Sequence, residues 1–382
     1  MTQSIYLDHA AATPLDKRVF AAMEPYLTDK FYNPSSAYGA GREVRQALED
    51  ARHRLAMTIG GKKDEVILMA GATESVNAAF SVVGQGQHAI IGATEHAAVL
   101  GAASTHDFAV LPADERGLLR ISDLVGLIQD NTVLVSLVYA DSELGTVQSL
   151  REAADVVAKV RDARQAWSDE TPIYLHTDAS QAAALCDLNV ARLGVDMMTV
   201  SAAKCYGPKQ VALLWARGGI KLQPIIRGGG QERGIRSGTE NVAGAVGFAE
   251  ALARVQESRH HESKRLSALR AELAEKLTAQ IPDIVVNGHP KRHLPSHLHI
   301  SVPGLDAERV VFGLDTEGVL VATGAACAAN KDTRSSVLTG CGMPDSLADG
   351  SLRLSLGHLN DDSQVERTAR LITQVISRER GL

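Results

Sequence analysis

The alternation of short apolar runs with amphipathic segments between residues 66 and 178 constrains the fold more than any other feature of this sequence. Each apolar run has the length of a strand, and the segment after it has helical periodicity. The predicted strands are Val66–Ala70, His88–Ala93, Phe108–Pro112, Val133–Tyr139 and Ile173–Thr177. The predicted helices between them run from Gly71 through Phe80, then over Ala97–Ser104, Asp123–Gln129 and Arg151–Trp167. This alternation predicts an α/β fold with a mostly parallel sheet and helices on both faces.

The flanking segments predict additional helices and a second, smaller α+β unit. Residues 5–13 are typical of a short strand entering a turn, Pro14 opens a helix to about Tyr26, and a helix covers Gly41–Ile59. Residues 241–280 form one long helix or a broken pair, and a last amphipathic helix covers Ser363–Arg378. The predicted strands of this unit are Ile284–Val286, His297–Val302, Val319–Ala322 and Leu352–Ser355. We therefore expect a large domain over residues 14–250 and a small domain formed by residues 1–13 and 251–382, which carries the Cys327 loop.

Polar side chains follow several of the predicted strands at the point where each strand ends. Thr73, His96, Ser142 and Asp178 each lie just past the carboxyl end of a different strand. Ligands bind open α/β sheets at this edge. We therefore expect these four side chains to share one site.

Lys204 lies between two further apolar runs, Met197–Val200 and Val211–Trp215, which predict buried strands. A lysine placed between buried strands loses water, which lowers the pKa of its amine and makes the amine a nucleophile. A lysine on a solvated hairpin loop would have the same local sequence. This stretch alone does not decide between the two interpretations.

The candidate residues together fit the chemistry of pyridoxal phosphate. Gly71-Ala72-Thr73 opens a helix directly after a strand, and the free N–H groups there bind anions, although a threonine in this position also serves as an ordinary helix cap. Asp178 follows an apolar strand, where a carboxylate needs a partner such as a pyridinium nitrogen. His96 suits proton transfer or ring stacking, and Lys204 suits a Schiff base.

Composition and charge exclude several other classes of protein. The chain has 382 residues, 45% of them hydrophobic and 22% charged, which is typical of a globular protein with a large core. Its formal net charge of −6 gives no reason to expect nucleic acid or a membrane as a partner. We see no signal peptide and no apolar stretch of membrane-spanning length. The four scattered cysteines lack the spacing of a zinc site and predict no metal, and such sparse use of cysteine indicates the cytoplasm.

These residues lie in motifs that resemble those of the cysteine desulfurases of iron–sulfur cluster assembly, within the class V aminotransferase-like enzymes that use pyridoxal phosphate. The resemblance extends almost from end to end of the chain. Its motifs are Tyr6-Leu-Asp-His-Ala-Ala-Ala-Thr-Pro14, Asn33-Pro-Ser-Ser36, Gly71-Ala-Thr-Glu-Ser75, Thr94-Glu-His96, His176-Thr-Asp-Ala-Ser-Gln181, Lys204-Cys-Tyr-Gly-Pro-Lys209, Gly228-Gly-Gly-Gln-Glu-Arg-Gly-Ile-Arg-Ser-Gly-Thr239, Gly324-Ala-Ala-Cys327 and Ser351-Leu-Arg-Leu-Ser-Leu-Gly357. The resemblance implies the type I fold of pyridoxal phosphate-dependent transferases, with a large sheet of seven strands.

The resemblance implies roles for the residues around the cofactor ring. Lys204 would carry the cofactor as a Schiff base, and Asp178 would pair with the pyridine nitrogen. Gln181 would contact the ring oxygen, and His96 would stack on the ring and move protons. Ser142 stands where the family has an asparagine that contacts the ring and the substrate.

Phosphate binding and the homodimer are linked in the family. Thr73, the Ala72 backbone and Ser201 would hold the phosphate of the subunit's own cofactor. Thr239 would reach the phosphate of the neighbouring subunit, which implies a homodimer.

The remaining implied roles concern L-cysteine and its sulfur. Arg353 would bind the substrate carboxylate with its planar fork, assisted by Asn33. Cys327 would accept the sulfur, because thiolate is the nucleophilic form of cysteine and the small residues around it suit a mobile loop. The other cysteines, Cys186, Cys205 and Cys341, match no functional position and are interpreted as packing residues.

Three departures from the family pattern concern cofactor affinity, substrate choice and partner binding. Ala203 replaces a histidine that donates to the phosphate, and Ser142 replaces the longer asparagine. The chain ends at Leu382, where better-known housekeeping members carry a longer tail that docks a scaffold protein.

The leading hypothesis from the sequence is conversion of L-cysteine to L-alanine with a persulfide on Cys327. The sulfur would pass to a scaffold or carrier protein for iron–sulfur cluster or thiolation pathways. A second hypothesis is a related enzyme with the same cofactor, such as a C–S lyase, a selenocysteine lyase or an aminotransferase. A third is a non-catalytic sulfur-relay or scaffold protein on the same fold.

Overall fold

The computed structural model describes residues 4–324 and 334–381. Its strands are β1 (Ile5–Tyr6), β2 (Val66–Met69), β3 (His88–Gly92), β4 (Asp107–Leu111), β5 (Thr132–Ser136), β6 (Tyr174–Asp178), β7 (Met197–Ser201), β8 (Ala212–Ala216), β9 (Val285–Asn287), β10 (His297–Ser301), β11 (Val319–Leu320), β12 (Ala322–Thr323) and β13 (Ser351–Ser355). Its α-helices are α1 (Lys17–Leu27), α2 (Gly39–Ile59), α3 (Ala72–Phe80), α4 (Ala97–Ala103), α5 (Leu124–Leu127), α6 (Leu150–Ala166), α7 (Val190–Leu193), α8 (Val242–Gln280), α9 (Ala307–Thr316), α10 (Ser336–Gly340), α11 (Asp345–Ala348) and α12 (Asp362–Glu379).

The large sheet brings the predicted site residues to one edge. Within the described residues it contains seven strands in the order β2-β8-β7-β6-β5-β3-β4. Strand β8 is antiparallel to both of its neighbours, β2 and β7, so β2 and β7 themselves run in the same direction. The other pairs are parallel. The carboxyl ends of β2, β3, β5, β6 and β7 therefore lie together, as predicted from the alternation.

Both faces of the large sheet are buried under helices. Alternate strand residues point to opposite faces, and Ile90 and Ile91 accordingly belong to two different hydrophobic clusters. One cluster contains Leu55 of α2 and Leu252 of α8, and the other contains Val76 of α3. The predicted α/β architecture with helices on both faces is confirmed.

A second core lies between the small sheet, β12-β13-β10-β9, and helices α8, α9 and α12. Helix α8 is one continuous helix and not a broken pair. Its first half, up to Val255, packs in the first core, and Leu266 to Leu277 pack in the second. The predicted boundary at residue 250 lies inside this helix, and the division into two domains stays a prediction. No helix of the described part of the chain is both long enough and apolar enough to span a bilayer.

Three examples show where the predicted elements differ from the observed ones. Helix α1 begins at Lys17 rather than at Pro14, because the Asp16 carboxylate caps it by accepting from the Arg18 N–H at 2.7 Å. The strand predicted over Val319–Ala322 is divided, since β11 pairs with β1 and β12 pairs with β13 of the small sheet. The helix predicted over Asp123–Gln129 is the single turn α5.

Candidate active site

Lys204 lies on a 3₁₀ turn that directly follows β7, at the shared carboxyl edge of the large sheet. Its Nζ donates hydrogen bonds to the carbonyl oxygens of Ala10 and Ala11, both at 2.6 Å, and its side chain is half-buried. The Thr13 hydroxyl donates to the Ala203 carbonyl oxygen at 3.0 Å and accepts from the Tyr206 N–H at 2.8 Å. The N-terminal segment thus holds the turn on both sides of the lysine, which is not on a solvated hairpin.

Gln181 lies beside this lysine, and Asp178 ends the strand next to β7. Asp178 is the last residue of β6, is 7% exposed, and accepts the Ser180 N–H at 2.9 Å. Gln181 Nε2 donates to the Ala10 carbonyl oxygen at 3.0 Å, which is also an acceptor for Lys204 Nζ. The shared acceptor places the amide of Gln181 next to the lysine amine.

The turn from β2 into α3 has the properties of a phosphate cradle. Gly71 has a φ of +147°, and a Cβ built there would meet no atom within 4 Å, so the space beside it is open. The first N–H groups of a helix have no partner inside the helix, and the helix dipole favours an anion there. Thr73 in this first turn is exposed, and Ser201 ends β7 at the same edge. Backbone donors, two hydroxyls, a buried carboxylate and a lysine fit the phosphate, the ring nitrogen and the aldehyde of pyridoxal phosphate.

His96 caps helix α4, and its ring is exposed. Its Nδ1 accepts the Ala98 N–H at 3.1 Å, so the proton of the neutral ring resides on Nε2. The preceding residue, Glu95, is fully buried, and its Oε1 accepts the Val138 N–H at 2.6 Å. Burial holds the pKa of Glu95 well above its usual range, which keeps this carboxyl neutral.

Arg353 is a buried cation on β13 and is 2% exposed. One terminal nitrogen donates to Asp8 Oδ1 at 2.7 Å and the other to the Ser142 carbonyl oxygen at 3.0 Å. Its Nε has no hydrogen-bond partner among residues 4–324 and 334–381. Two neighbouring histidines, His297 and His299, are neutral because burial lowers their pKa to about 3. Of these three side chains, the Arg353 guanidinium is therefore the one that carries a positive charge.

The structure does not bring every predicted residue into these contacts. Asn33 is exposed, and its amide oxygen accepts the N–H of Ser35 in its own loop at 2.8 Å. Thr239 is exposed and lines a cavity of about 150 Å³ beside the β2–α3 turn. Cys327 lies outside the described residues. Burial raises the pKa of Cys186, Cys205 and Cys341 to about 12, which keeps these three thiols protonated and unreactive.

Two acidic residues were missed as site residues in the sequence. Asp8 lies in the motif Tyr6–Pro14, directly after a predicted strand, and this position could have indicated a site residue. Asp141 is fully buried and accepts N–H groups from Glu143 through Thr146, which shapes the turn that presents the Ser142 carbonyl. Burial raises its pKa to about 6 despite these donors.

The comparisons with known proteins agree with the geometry. Residues 5–368 match the aminotransferase class-V family. A cysteine desulfurase IscS of Dictyoglomus turgidum is 37% identical, with 100% of this chain and 97% of the relative covered. The cysteine desulfurase IscS 1 of Archaeoglobus fulgidus is 35% identical, with 99% and 98% covered.

Solved structures give the same result. A NifS-like protein is 30% identical, with a TM-score of 0.90 over 98% of this chain and 100% of that one. SspA, solved in complex with cysteine, is 28% identical, with a TM-score of 0.79 over 92% and 99%. These similarities confirm the predicted type I fold. The cysteine desulfurases of this family depend on pyridoxal phosphate, which confirms the predicted cofactor. The chain belongs to the aminotransferase class-V family, in the group that includes the cysteine desulfurases.

Proposed function

We propose that the protein is a pyridoxal phosphate-dependent cysteine desulfurase that converts L-cysteine to L-alanine and transfers the sulfur through Cys327. One observation carries the proposal: a single short turn contacts both cations of the site. Asp8 binds Arg353, and Ala10 and Ala11 bind Lys204. Two or three residues of backbone span at most about 7–11 Å, so both cations are held by one short stretch of chain, which suits a small substrate that carries a carboxylate.

Substrate binding is assigned to the guanidinium of Arg353. Its fork is already oriented by Asp8 and by the Ser142 carbonyl, so little side-chain entropy is lost when a carboxylate binds. The neighbouring His297 and His299 are neutral and add no competing charge. This orientation favours an α-amino acid whose amine points toward Lys204.

Cofactor binding is assigned to the edge of the large sheet. Ala72, Thr73 and Ser201 would hold the phosphate, Asp178 the ring nitrogen, and Gln181 the ring oxygen. When bound, pyridoxal phosphate supplies an electron sink that stabilises negative charge on the substrate carbons. Lys204 would receive and return protons at the α-carbon, and His96 would stack on the cofactor ring and move protons there.

Sulfur transfer is assigned to Cys327. Its thiolate attacks the substrate sulfur, an S–S bond forms as the C–S bond breaks, and the electron pair remains on the substrate β-carbon. That carbon then takes a proton, which yields alanine and a persulfide on Cys327. The persulfide passes to an acceptor protein, a scaffold or carrier of iron–sulfur cluster assembly or of a thiolation pathway.

The further features of the proposal are the assembly, the compartment and the domain division. A homodimer would let Thr239 reach the phosphate of the partner subunit. We place the enzyme in the cytoplasm, with the large domain over residues 14–250 and the small domain over residues 1–13 and 251–382. Asn33 would assist substrate binding. Ser142 would contact the cofactor ring and the substrate with a side chain shorter than the asparagine of the family.

Product formation tests the proposal. Purified protein loaded with pyridoxal phosphate should form alanine from L-cysteine, and mass spectrometry should find one extra sulfur on Cys327. Cys327→Ala should abolish both the persulfide and the transfer to a dithiol acceptor, whereas Cys341→Ala, a matched change of a buried thiol, should keep both. Equal alanine formation by Cys327→Ala without any persulfide in the wild type would refute the role of Cys327. Release of sulfide or selenide independent of Cys327, or transamination of a 2-oxo acid, would assign a related lyase or aminotransferase instead.

The absorbance spectrum tests cofactor attachment separately. The wild type should absorb at visible wavelengths as a lysine-bound cofactor does. Lys204→Ala should lose that band while it still binds the cofactor through the phosphate group. A colourless wild type in the presence of excess cofactor would favour a non-catalytic sulfur-relay protein.

A further inference from the structure

A continuous row of buried polar side chains crosses the large sheet beneath the cofactor site. Ser136 Oγ lies 2.9 Å from His176 Nδ1, and His176 Nε2 lies 3.0 Å from Thr199 Oγ1. The Thr199 hydroxyl lies 2.7 Å from Ser75 Oγ, which donates to the Leu213 carbonyl oxygen at 3.1 Å. The row therefore links β5, β6, β7, α3 and β8, and we call it the serine–histidine row. All four of its side chains are buried.

The last acceptor fixes the direction of every hydrogen bond in the row. A carbonyl oxygen only accepts, so the Ser75 proton is used on Leu213 and the Thr199 hydroxyl must donate to Ser75. Thr199 then has no proton left for the ring, so His176 Nε2 must carry one and donate it to Thr199. The bonds run one way, and bonds aligned in this manner strengthen one another.

The other ring nitrogen of His176 must be an acceptor. The ring is fully buried, and burial lowers its pKa to about 3, which keeps it neutral. A neutral ring with its proton on Nε2 has a lone pair on Nδ1, and the Ser136 hydroxyl donates to it. His176 is therefore held as the Nε2–H tautomer.

The row ties together the groups that would bind the cofactor. His176 lies two residues before Asp178 on β6, and Thr199 lies two residues before Ser201 on β7, so each pair shares one face of the sheet. Ser75 lies in the same first turns of α3 as Thr73 and supplies the hydrogen bond between the row and that helix. The row thus fixes α3 to β6 and β7 one layer below the site.

We propose that His176, as the neutral Nε2–H tautomer, is a positioning residue that sets the distance between the phosphate cradle of α3 and the carboxylate of Asp178. The proposal rests on the binding of pyridoxal phosphate at this edge. His176 does not touch the cofactor and acts through Thr199 and Ser75. A sheet face and a helix that carry two ends of one rigid ligand must keep their spacing, and a one-way row of directional hydrogen bonds does this more strictly than apolar contacts.

The tautomer provides a spectroscopic test. In protein labelled with ¹⁵N-histidine, long-range ¹H–¹⁵N NMR should show the His176 ring protonated at Nε2 alone from pH 5 to pH 8. Thr199→Val removes the acceptor and should shift this ring to the Nδ1–H form, which also assigns its signal. Thr199→Ser keeps the hydroxyl, and Ser136→Ala removes only the donor to Nδ1, so both should keep the Nε2–H form. If the ring that responds to Thr199→Val is protonated at Nδ1 in the wild type at pH 7, the proposal is overturned.

Cofactor affinity tests the positioning role. Thr199→Val should raise the dissociation constant of pyridoxal phosphate about tenfold, because the loss of one such hydrogen bond costs about a factor of ten in affinity. Thr199→Ser keeps the hydroxyl and should stay within about threefold of the wild type. The melting temperature of the cofactor-free protein, measured alongside, reports any general loss of stability. An unchanged dissociation constant for Thr199→Val overturns the proposal. Failure of the wild type to bind the cofactor refutes the proposed function instead, and the NMR result on the cofactor-free protein remains interpretable.

Discussion

Arg353 has the geometry of a recognition residue, because two fixed acceptors hold its fork in a buried place. Asp8 and the Ser142 carbonyl each take one terminal nitrogen, and Asp8 also supplies the counter-charge that a buried cation needs. A lysine would keep the charge but present a point donor in place of a planar fork. The shape of the guanidinium, and not its charge alone, is what the site uses.

We therefore expect Arg353→Lys to weaken cysteine binding more than turnover. Loss of a bidentate charged contact costs about 1.5–3 kcal/mol, which predicts a 10- to 100-fold rise in KM with little change in kcat. Steady-state kinetics with L-cysteine measure this, and an unchanged cofactor spectrum shows that the cofactor site is intact. Arg378→Lys, on the exposed face of α12, is the matched control and should change neither constant. Equal KM values for the wild type and Arg353→Lys would contradict the assignment.

Ala203 offers a direct test of a departure from the family pattern. Its carbonyl oxygen is held by the Thr13 N–H at 3.2 Å and by the Thr13 hydroxyl, so the backbone of the turn does not depend on the side chain at position 203. Ala203→His should add a donor to the cofactor phosphate and lower the dissociation constant of pyridoxal phosphate about tenfold. Fluorescence titration measures it. Ala203→Phe adds a ring without a donor, and an equal gain in this variant would show that hydrogen bonding is not the cause.

The edge strand β2 is paired along its free side by side chains rather than by another strand. The Leu68 N–H donates to Glu232 at 2.9 Å, and Arg52 donates to the Val66 carbonyl oxygen at 3.1 Å. Arg52 and Glu232 also form a buried bidentate pair at 2.6 and 2.7 Å. Glu232 has a φ of 45°, a left-handed conformation that is uncommon for this residue type. The pair therefore anchors the segment of residues 228–239, which carries Thr239.

Removing one member of this pair should cost more stability than removing both. Glu232→Gln breaks the bidentate pair and leaves Glu49, 3.3 Å from Arg52 Nε, as the remaining counter-ion of this buried cation. We expect it to lower the free energy of unfolding by about 3 kcal/mol, the lower end of the range for a broken buried pair. The double variant Arg52→Met with Glu232→Leu should recover part of that loss. Urea unfolding measures each variant, and Asp283→Asn, in an exposed pair with Arg380, should change stability by less than about 1 kcal/mol. A double variant less stable than Glu232→Gln would refute this account.

The strands were predictable because their apolar runs are short and bounded by turns, and topology then placed Thr73, His96 and Asp178 at one edge. The pairing of Asp8 with Arg353 was not predictable, since 345 positions separate the two residues and nothing local indicates the contact. The split of the predicted strand at residues 319–322 was missed for a similar reason. Its partners, β1 and β13, come from opposite ends of the chain.

Helix α8 joins the two hydrophobic cores, so the folding of one core supports the other. Residues up to Val255 pack in the first core and Leu266 to Leu277 pack in the second, within one continuous helix. A rigid helix shared in this way transmits a loss of packing in either core. Unfolding of the chain should therefore respond to buried groups in both parts.

Four buried histidines make the whole molecule sensitive to acid. Burial lowers the pKa of His176, His297 and His299 to about 3 and that of His9 to about 4. In the unfolded chain each titrates near 6.5, so below that pH the unfolded state binds more protons and is favoured. The stabilisation is complete above about pH 6.5 and is lost as the pH falls toward the folded values.

We expect these four histidines to lower the free energy of unfolding by about 5 kcal/mol between pH 7 and pH 5.5, which is roughly 1.2 kcal/mol for each histidine and comparable with the stability of a typical domain. The raised pKa values of Asp141 and Glu95 act in the opposite direction and offset part of this loss. Urea midpoints at pH 7.5, 6.5 and 5.5 measure the net effect, with proton uptake on unfolding recorded at pH 5.5. His297→Asn should reduce that uptake by about one proton. An unchanged proton uptake in His297→Asn would show that this ring is not neutral in the folded protein.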